Sequence, residues 1–343
     1  MQLVMQSSWT LREAMTKKGR CTVFRQRPFD FRSFLWLKSL RLSPQLIELL
    51  ESRGVLIDAT TADCLRRESY YAIINGYKDP FLDKDAMTSS SDDVYKDGTS
   101  FRNIFDLFLF DRELRQLAFS YLARAEAVLK NAVVYSFCDK YRAPDAYLNR
   151  LNYVRSRDML VPKAYRGNKN YLHAKNLAEL LKTLNDKVSN EQHMRPFVRH
   201  YLNKYGAVPL WVLQNDLTFG NICHFYQLQN RGVQNAACKL VNQTANREER
   251  LEPIVLLRVI QVLVGFRNIC AHDERLYCAE VRGAKFSDMY DLLSRVLPAD
   301  EMRSLLNDLA GLVGTYQGLI NQSVLYDVFH EMNIQVQRAL GDS

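Results

Sequence analysis

The chain has 343 residues, 47% of them hydrophobic and 24% charged, with a net charge of +8. That composition excludes collagen, disordered tails and coiled rods, and the length allows a sizeable core without disulfides or metal staples. Fourteen glycines and nine prolines are too few for a turn-rich all-β protein.

Residues 1–33 read as a basic, weakly structured lead-in. Residues 34–57 carry helical periodicity, with Leu42, Leu46, Leu49 and Leu50 on one face. Ser43-Pro44 reads as an N-cap followed by proline at the first helical position, and Gly54 as a stop. Thr60 to Tyr77 gives a second helix, ended by Asp79-Pro80. The polar loop that follows, residues 83–99, divides an N-terminal helical unit (34–99) from a main body (100–343). Residues 101–141 form one long amphipathic helix with no glycine or proline. Residues 142–170 are irregular and basic. Further helices are expected at Tyr171–Val188, Met194–Tyr205, Pro209–Gln229, Val233–Asn242, Pro253–His272, Phe286–Arg295, Ala299–Ile320 and Val324–Leu340. No strand alternation is long enough to build a sheet, so the fold class is all-α.

The charge is unevenly placed. Residues 1–41 hold nine basic side chains against Glu13 and Asp30. Residues 150–175 hold seven (Arg150, Arg155, Arg157, Lys163, Arg166, Lys169 and Lys175) against Asp158. Two basic patches on a mildly acidic body point to a polyanion, because lysine and arginine displace counterions from phosphates. Tyr153, Tyr165 and Tyr171 interleave the second patch, where aromatics can stack on unpaired bases. A solvated basic surface is the alternative.

The segment richest in chemistry is Val255 to Tyr277. Arg258, Gln261, Gly265, Asn268 and His272 step by three and four residues, one polar stripe on an otherwise apolar helix. If that helix is buried, the stripe needs partners or a ligand. Arg267 lies five residues before His272, well apart from it around a regular helix. They converge only through the long arginine side chain, a helix end near Cys270, or a second subunit. Arginine and histidine together suit cleavage of RNA by its own 2′-hydroxyl. An ordinary histidine titrates near neutral pH and moves protons. An arginine fork holds phosphate oxygens as charge grows on them. No metal is required. The alternative is a structural histidine with its arginine paired to a carboxylate.

The segment RNICAHDERLY resembles the R-x4-6-H signature of HEPN-fold ribonucleases. Three further blocks are similar to the Abi family of bacterial abortive-infection proteins: Leu65–Leu82, Phe105–Val133 and Pro209–Ile222. The resemblance runs in order over about residues 36–280. It implies a HEPN-type helical bundle with a small added N-terminal helical unit. It also implies RNA cleavage by Arg267 and His272, with Asn268 as the polar residue after the arginine, and a role in phage defence. RNA is the implied partner, as substrate and as a small structured RNA. HEPN nucleases bring two motifs together, so the expected assembly is a homodimer with one shared cleft. The docking surface is expected at Arg150, Arg155, Arg157, Lys163, Arg166 and Lys169, with Arg258 as a second-rank substrate contact. Two departures from the family pattern stand out: Asp273 and Cys278 replace other polar residues. Asp273 is placed to act on His272 or to compete for Arg267.

Rival readings are weaker. Cys270, His272 and Cys278 do not have zinc spacing, the other histidines are isolated, and no nucleophile elbow is present. No metal or cofactor is expected. Seven scattered cysteines fit a reducing cytoplasm. The N-terminus has no signal-peptide core, and the apolar run Ile254–Phe266 reads as too short and too polar for a bilayer. The competing function is a catalytically silent RNA-binding or antitoxin-like helical module. Glu126, Arg112, Arg115 and Arg124 read as surface ion-pair residues, with Glu126 beside Lys130.

Overall fold

An uninterrupted run of good helix formers gives the longest element. Helix α3, Phe101–Lys140, spans 40 residues, about 60 Å at 1.5 Å per residue. Ser100 caps it: its Oγ accepts from the Asn103 amide, and Asn103 Oδ1 accepts from the Ser100 amide. The computed structural model describes residues 44–89, 92–162 and 167–334. Before α3 come α1 (Pro44–Ser52) and α2 (Thr61–Arg67), then a π-helical turn at Tyr71–Asn75. After it come α4 (Lys169–Ser189), α5 (Pro196–Tyr205), α6 (Leu210–Leu213), α7 (Phe219–Gln227) and α8 (Arg231–Thr244). The last four are α9 (Pro253–Ala271), α10 (Phe286–Leu293), α11 (Ala299–Tyr316) and α12 (Gln322–Glu331). The all-α expectation holds: among the described residues extended pairing is limited to isolated bridges.

Helix α3 is the axis of the molecule. It packs against α6, α7, α8, α9, α10 and α11. Around it one apolar core runs from Leu50 to Met332, and the described residues from Pro44 onward form one compact unit. The basic lead-in, residues 34–43 of the first expected helix, and the end of the last one lie outside the described residues.

Two expected helices are broken, each by a tertiary contact. The Thr60–Tyr77 helix stops after Arg67, where Glu68 is extended. Its carboxylate takes two bonds from Arg112 on α3, at 2.8 and 2.6 Å. The Pro209–Gln229 helix is interrupted at an extended Leu217. Lys130 takes the Leu217 carbonyl at 2.7 Å, and Thr218 starts α7 afresh by a reciprocal cap with Asn221.

Helix α9 threads the core. Leu256, Leu257, Val259, Ile260, Leu263 and Phe266 are fully buried. At 19 residues and a mean hydropathy of 1.8 it is long and apolar enough to cross a membrane by length and composition, which corrects the sequence-based view of that run. In the structure it packs against α3, α7, α8 and α10. The approach is closest at Gly265, where an added Cβ would lie 2.3 Å from Val281 Cγ1. Val281 belongs to a tight turn closed on Ala284, with left-handed Arg282 and Gly283 at its tip.

Candidate functional site

The candidate site is built on the last turn of α9 and the five residues beyond it. The helix ends at Ala271, and His272 is its C-cap. Asp273 follows with φ 55°, the left-handed position that closes many helices and that aspartate tolerates better than most residues. The Glu274 amide folds back to the Ile269 carbonyl at 3.2 Å, as in a Schellman closure. His272 therefore leaves the helical spiral and stands exposed at its end.

Arg267 sits one turn earlier. Its Nε donates to Glu126 Oε2 at 3.1 Å, and its Nη1 faces Asn268 Oδ1 at 3.3 Å. The other oxygen of Glu126 takes Lys130 Nζ at 2.8 Å. One carboxylate on α3 thus anchors two cations, and the trio keeps a net positive charge. The Arg267 side chain stays 28% exposed. No hydrogen bond joins the Arg267 and His272 side chains. Their link is through the backbone, where the His272 amide donates to the Asn268 carbonyl at 3.0 Å.

Behind the exit loop lies a buried polar cluster. Asp111 and Arg115, one turn apart on α3, are paired at 2.6 Å with almost no exposure. Asp111 also accepts from Tyr77 Oη at 2.7 Å, from the Tyr277 amide at 2.8 Å and from the Leu276 amide at 3.1 Å. Burial raises the Asp111 carboxyl above the ordinary range, with Arg115 pulling the other way. Arg115 Nη2 reaches Asp273 at 3.5 Å. Arg275 donates to the Gly76 carbonyl at 2.7 Å and to Asp79 at 3.3 Å. The loop after His272 is thereby fastened to α3 and to the turn before it.

Several expectations need correction. The stripe from Arg258 to His272 is mostly open: Arg258, Asn268 and His272 are exposed, while Gln261 is half-buried and Gly265 packs against Val281. Water satisfies the exposed three, and no burial penalty demands a ligand. Arg258 lies nine residues before Arg267, so it stands about 13 Å up the axis and half a turn round. Asp273 competes for Arg115, not Arg267. Arg115 is a buried residue, not a surface ion-pair residue, and Arg112 is half-buried against Glu68. Arg124 does form an exposed pair, with Glu301 at 3.2 Å; Glu126 does meet Lys130, but it is buried rather than on the surface. Sequence reasoning missed the Glu126–Arg267 contact; the two residues are 141 positions apart.

The basic loop is partly as expected. Arg150, Arg155 and Arg157 are exposed, and Lys169 Nζ reaches back to the Arg157 carbonyl at 2.6 Å. Lys163, Arg166 and Tyr165 lie outside the described residues. Tyr153 is buried and donates to the Tyr147 carbonyl at 2.6 Å, so it is no stacking platform, while Tyr171 is exposed.

No group of three or more histidine, cysteine or carboxylate side chains is placed to hold a metal ion among the described residues. Burial pushes the thiols of Cys270 and Cys278 up to about 12 and about 11, which keeps them protonated and poor ligands at neutral pH. What the site offers is an anchored guanidinium, an amide and an exposed imidazole at one helix end.

No curated protein and no solved structure matches the chain. A family model does match, over residues 63–278, from within α2 to the end of the fastened loop. That span is more than half of the chain and contains Glu126, Arg267 and His272: the chain belongs to the family of Abi-like proteins.

Proposed function

We propose that the protein is a metal-independent endoribonuclease of abortive-infection type, with the end of α9 as its active site. The observation that carries this reading is the anchored Arg267. Glu126 fixes its Nε, leaving its Nη2 without a protein partner among the described residues, beside Asn268 and one turn from the exposed His272.

The chemistry follows from those groups. Arg267 holds the nonbridging oxygens of one phosphate and offsets the charge that grows there. His272 takes the proton of the neighbouring 2′-hydroxyl. The 2′-oxygen bonds to phosphorus, and the bond to the 5′-oxygen breaks. A protonated imidazole then gives that leaving oxygen its proton. The products are a 2′,3′-cyclic phosphate and a 5′-hydroxyl. One chain supplies one such imidazole, so a two-fold pair of chains supplies both the base and the acid at one cleft. Asn268 orients Arg267 through its Oδ1. Arg150, Arg155, Arg157, Lys163, Arg166 and Lys169 form the docking surface for the RNA backbone, and Arg258 is a peripheral contact.

The reading is tested by His272→Ala. An enzyme loses cleavage and keeps its affinity for RNA. A silent RNA-binding module binds RNA without cutting it both before and after the substitution, and that result rejects the nuclease. Neutralising Arg150, Arg155, Arg157 and Lys169 tests the docking surface: the slope of log affinity against log salt falls if they meet phosphates.

A further inference from the structure

A cleft of about 560 Å³ opens between the C-terminal part of α3 and α6, at residues the cleavage chemistry does not use. Its floor is apolar, formed by Val134, Phe137 and Leu210. Two large aromatic side chains line it from different helices, Tyr135 on α3 and Trp211 on α6, and they are 67% and 53% exposed. Their nearness to each other on one cleft, rather than exposure alone, is what sets them apart. Trp211 is braced by Tyr201, whose ring meets it at 88° and 5.8 Å.

The polar part of the lining has its own signature. Asn131 is exposed on the wall, with its amide open. Gln214 gives its Nε2 to the Trp211 carbonyl at 3.1 Å, while its Oε1 is buried without a partner. Arg142 stands at the mouth, 78% exposed and ion-paired at 2.5 Å with Asp139, which also lines the cleft, so its unpaired guanidinium nitrogens are what it offers a phosphate. Beyond Arg142 the cleft runs into a second groove of about 530 Å³ that reaches Lys140 and Asn149. Asn149 adjoins Arg150, the first residue of the basic loop.

We infer that this cleft binds an unpaired RNA nucleotide, its base stacked on Trp211 and Tyr135 and its phosphate drawn to Arg142. The inference rests on the RNA reading above and adds a second contact point to it. Each part of the lining matches one part of the ligand. Aromatic faces stack on any base, because every base has a π-face. The exposed Asn131 amide meets the hydrogen-bonding edge that an unpaired base presents. The guanidinium and the adjoining basic loop suit the backbone. A duplex has no free base faces and would not enter.

The test uses the full chain carrying His272→Ala, so that bound RNA survives, with labelled oligouridylate as the probe. Trp211→Ala and Tyr135→Ala should each weaken binding about tenfold. The slope of affinity against salt should not change, since no cation is removed. An RNA duplex should bind both variants as it binds the parent. With 5-iodouridine in the probe, irradiation should cross-link Tyr135 or Trp211. Single-strand affinity within twofold of the parent in both variants, with circular dichroism unchanged, overturns the inference. So does a shift in oligomeric state without a change in affinity, which marks the cleft as a contact between copies. Cleavage by the parent separates the two readings: intact cleavage with unchanged binding in the cleft variants rejects only the cleft.

Discussion

Arg267 donates through Nε to Glu126 Oε2 at 3.1 Å, joining α9 to α3 across 141 positions of sequence. An arginine held by Nε presents its two outer nitrogens in a fixed plane, and a phosphate meets that plane bidentately. Lys130 on the other oxygen keeps the carboxylate from swinging. Glu126→Gln should therefore lower the single-turnover cleavage rate about 100-fold through misplacement of Arg267, while RNA affinity changes little. Cleavage at the parent rate would show that the pair serves only packing.

The Asp111 cluster holds the loop that follows His272. Asp111→Asn removes a charge from a pair with almost no solvent exposure and leaves Arg115 uncompensated. Such losses cost about 3–5 kcal/mol. Urea denaturation should show a loss of that size. Hydrogen exchange should show the Leu276 and Tyr277 amides losing protection before the core of α3 does.

Gly265 tests how closely α9 meets the Val281 turn. Alanine is the better helix former by about 1 kcal/mol, so substitution in an open helix would stabilise. Here the new Cβ would fall 2.3 Å from Val281 Cγ1, and overpacking of this kind costs about 1–3 kcal/mol. Gly265→Ala should lower Tm, and adding Val281→Ala should restore most of it.

Glu68 sets an acid limb of stability. The Arg112 hydrogen bonds hold its carboxyl below its ordinary value of 4.5. A carboxyl depressed by folding contributes stability above the unfolded value, and that stability is lost as pH falls through the folded one. Glu68→Gln should be less stable than the parent at neutral pH. The difference should shrink as pH falls below the ordinary value of 4.5 and through the lowered folded one. A constant difference would mean that the pair carries no charge-dependent stability.

Much of this was legible in the sequence, for identifiable reasons. Helix α3 announces itself because nothing in 40 residues breaks it, and α9 because proline opens it and its core face is almost purely apolar. The break at Glu68 was hidden because glutamate is a good helix former and its partner Arg112 lies 44 positions away. The break before α7 was not hidden: Thr218 and Asn221 have the spacing of a reciprocal cap. The Asp111–Arg115 pair reads the same at i,i+4 whether it is exposed or buried. Only the Leu276 and Tyr277 amides, brought in by the fold, reveal which. The polar stripe on α9 misled for the opposite reason, since periodicity gives a face and not what covers it.

The most direct measurement is cleavage of a labelled mixed-sequence RNA in EDTA by the parent, His272→Ala and Arg267→Ala. The account predicts cutting by the parent alone, with products ending in 2′,3′-cyclic phosphate and 5′-hydroxyl. Cutting that disappears in EDTA, or that persists in His272→Ala, would contradict it.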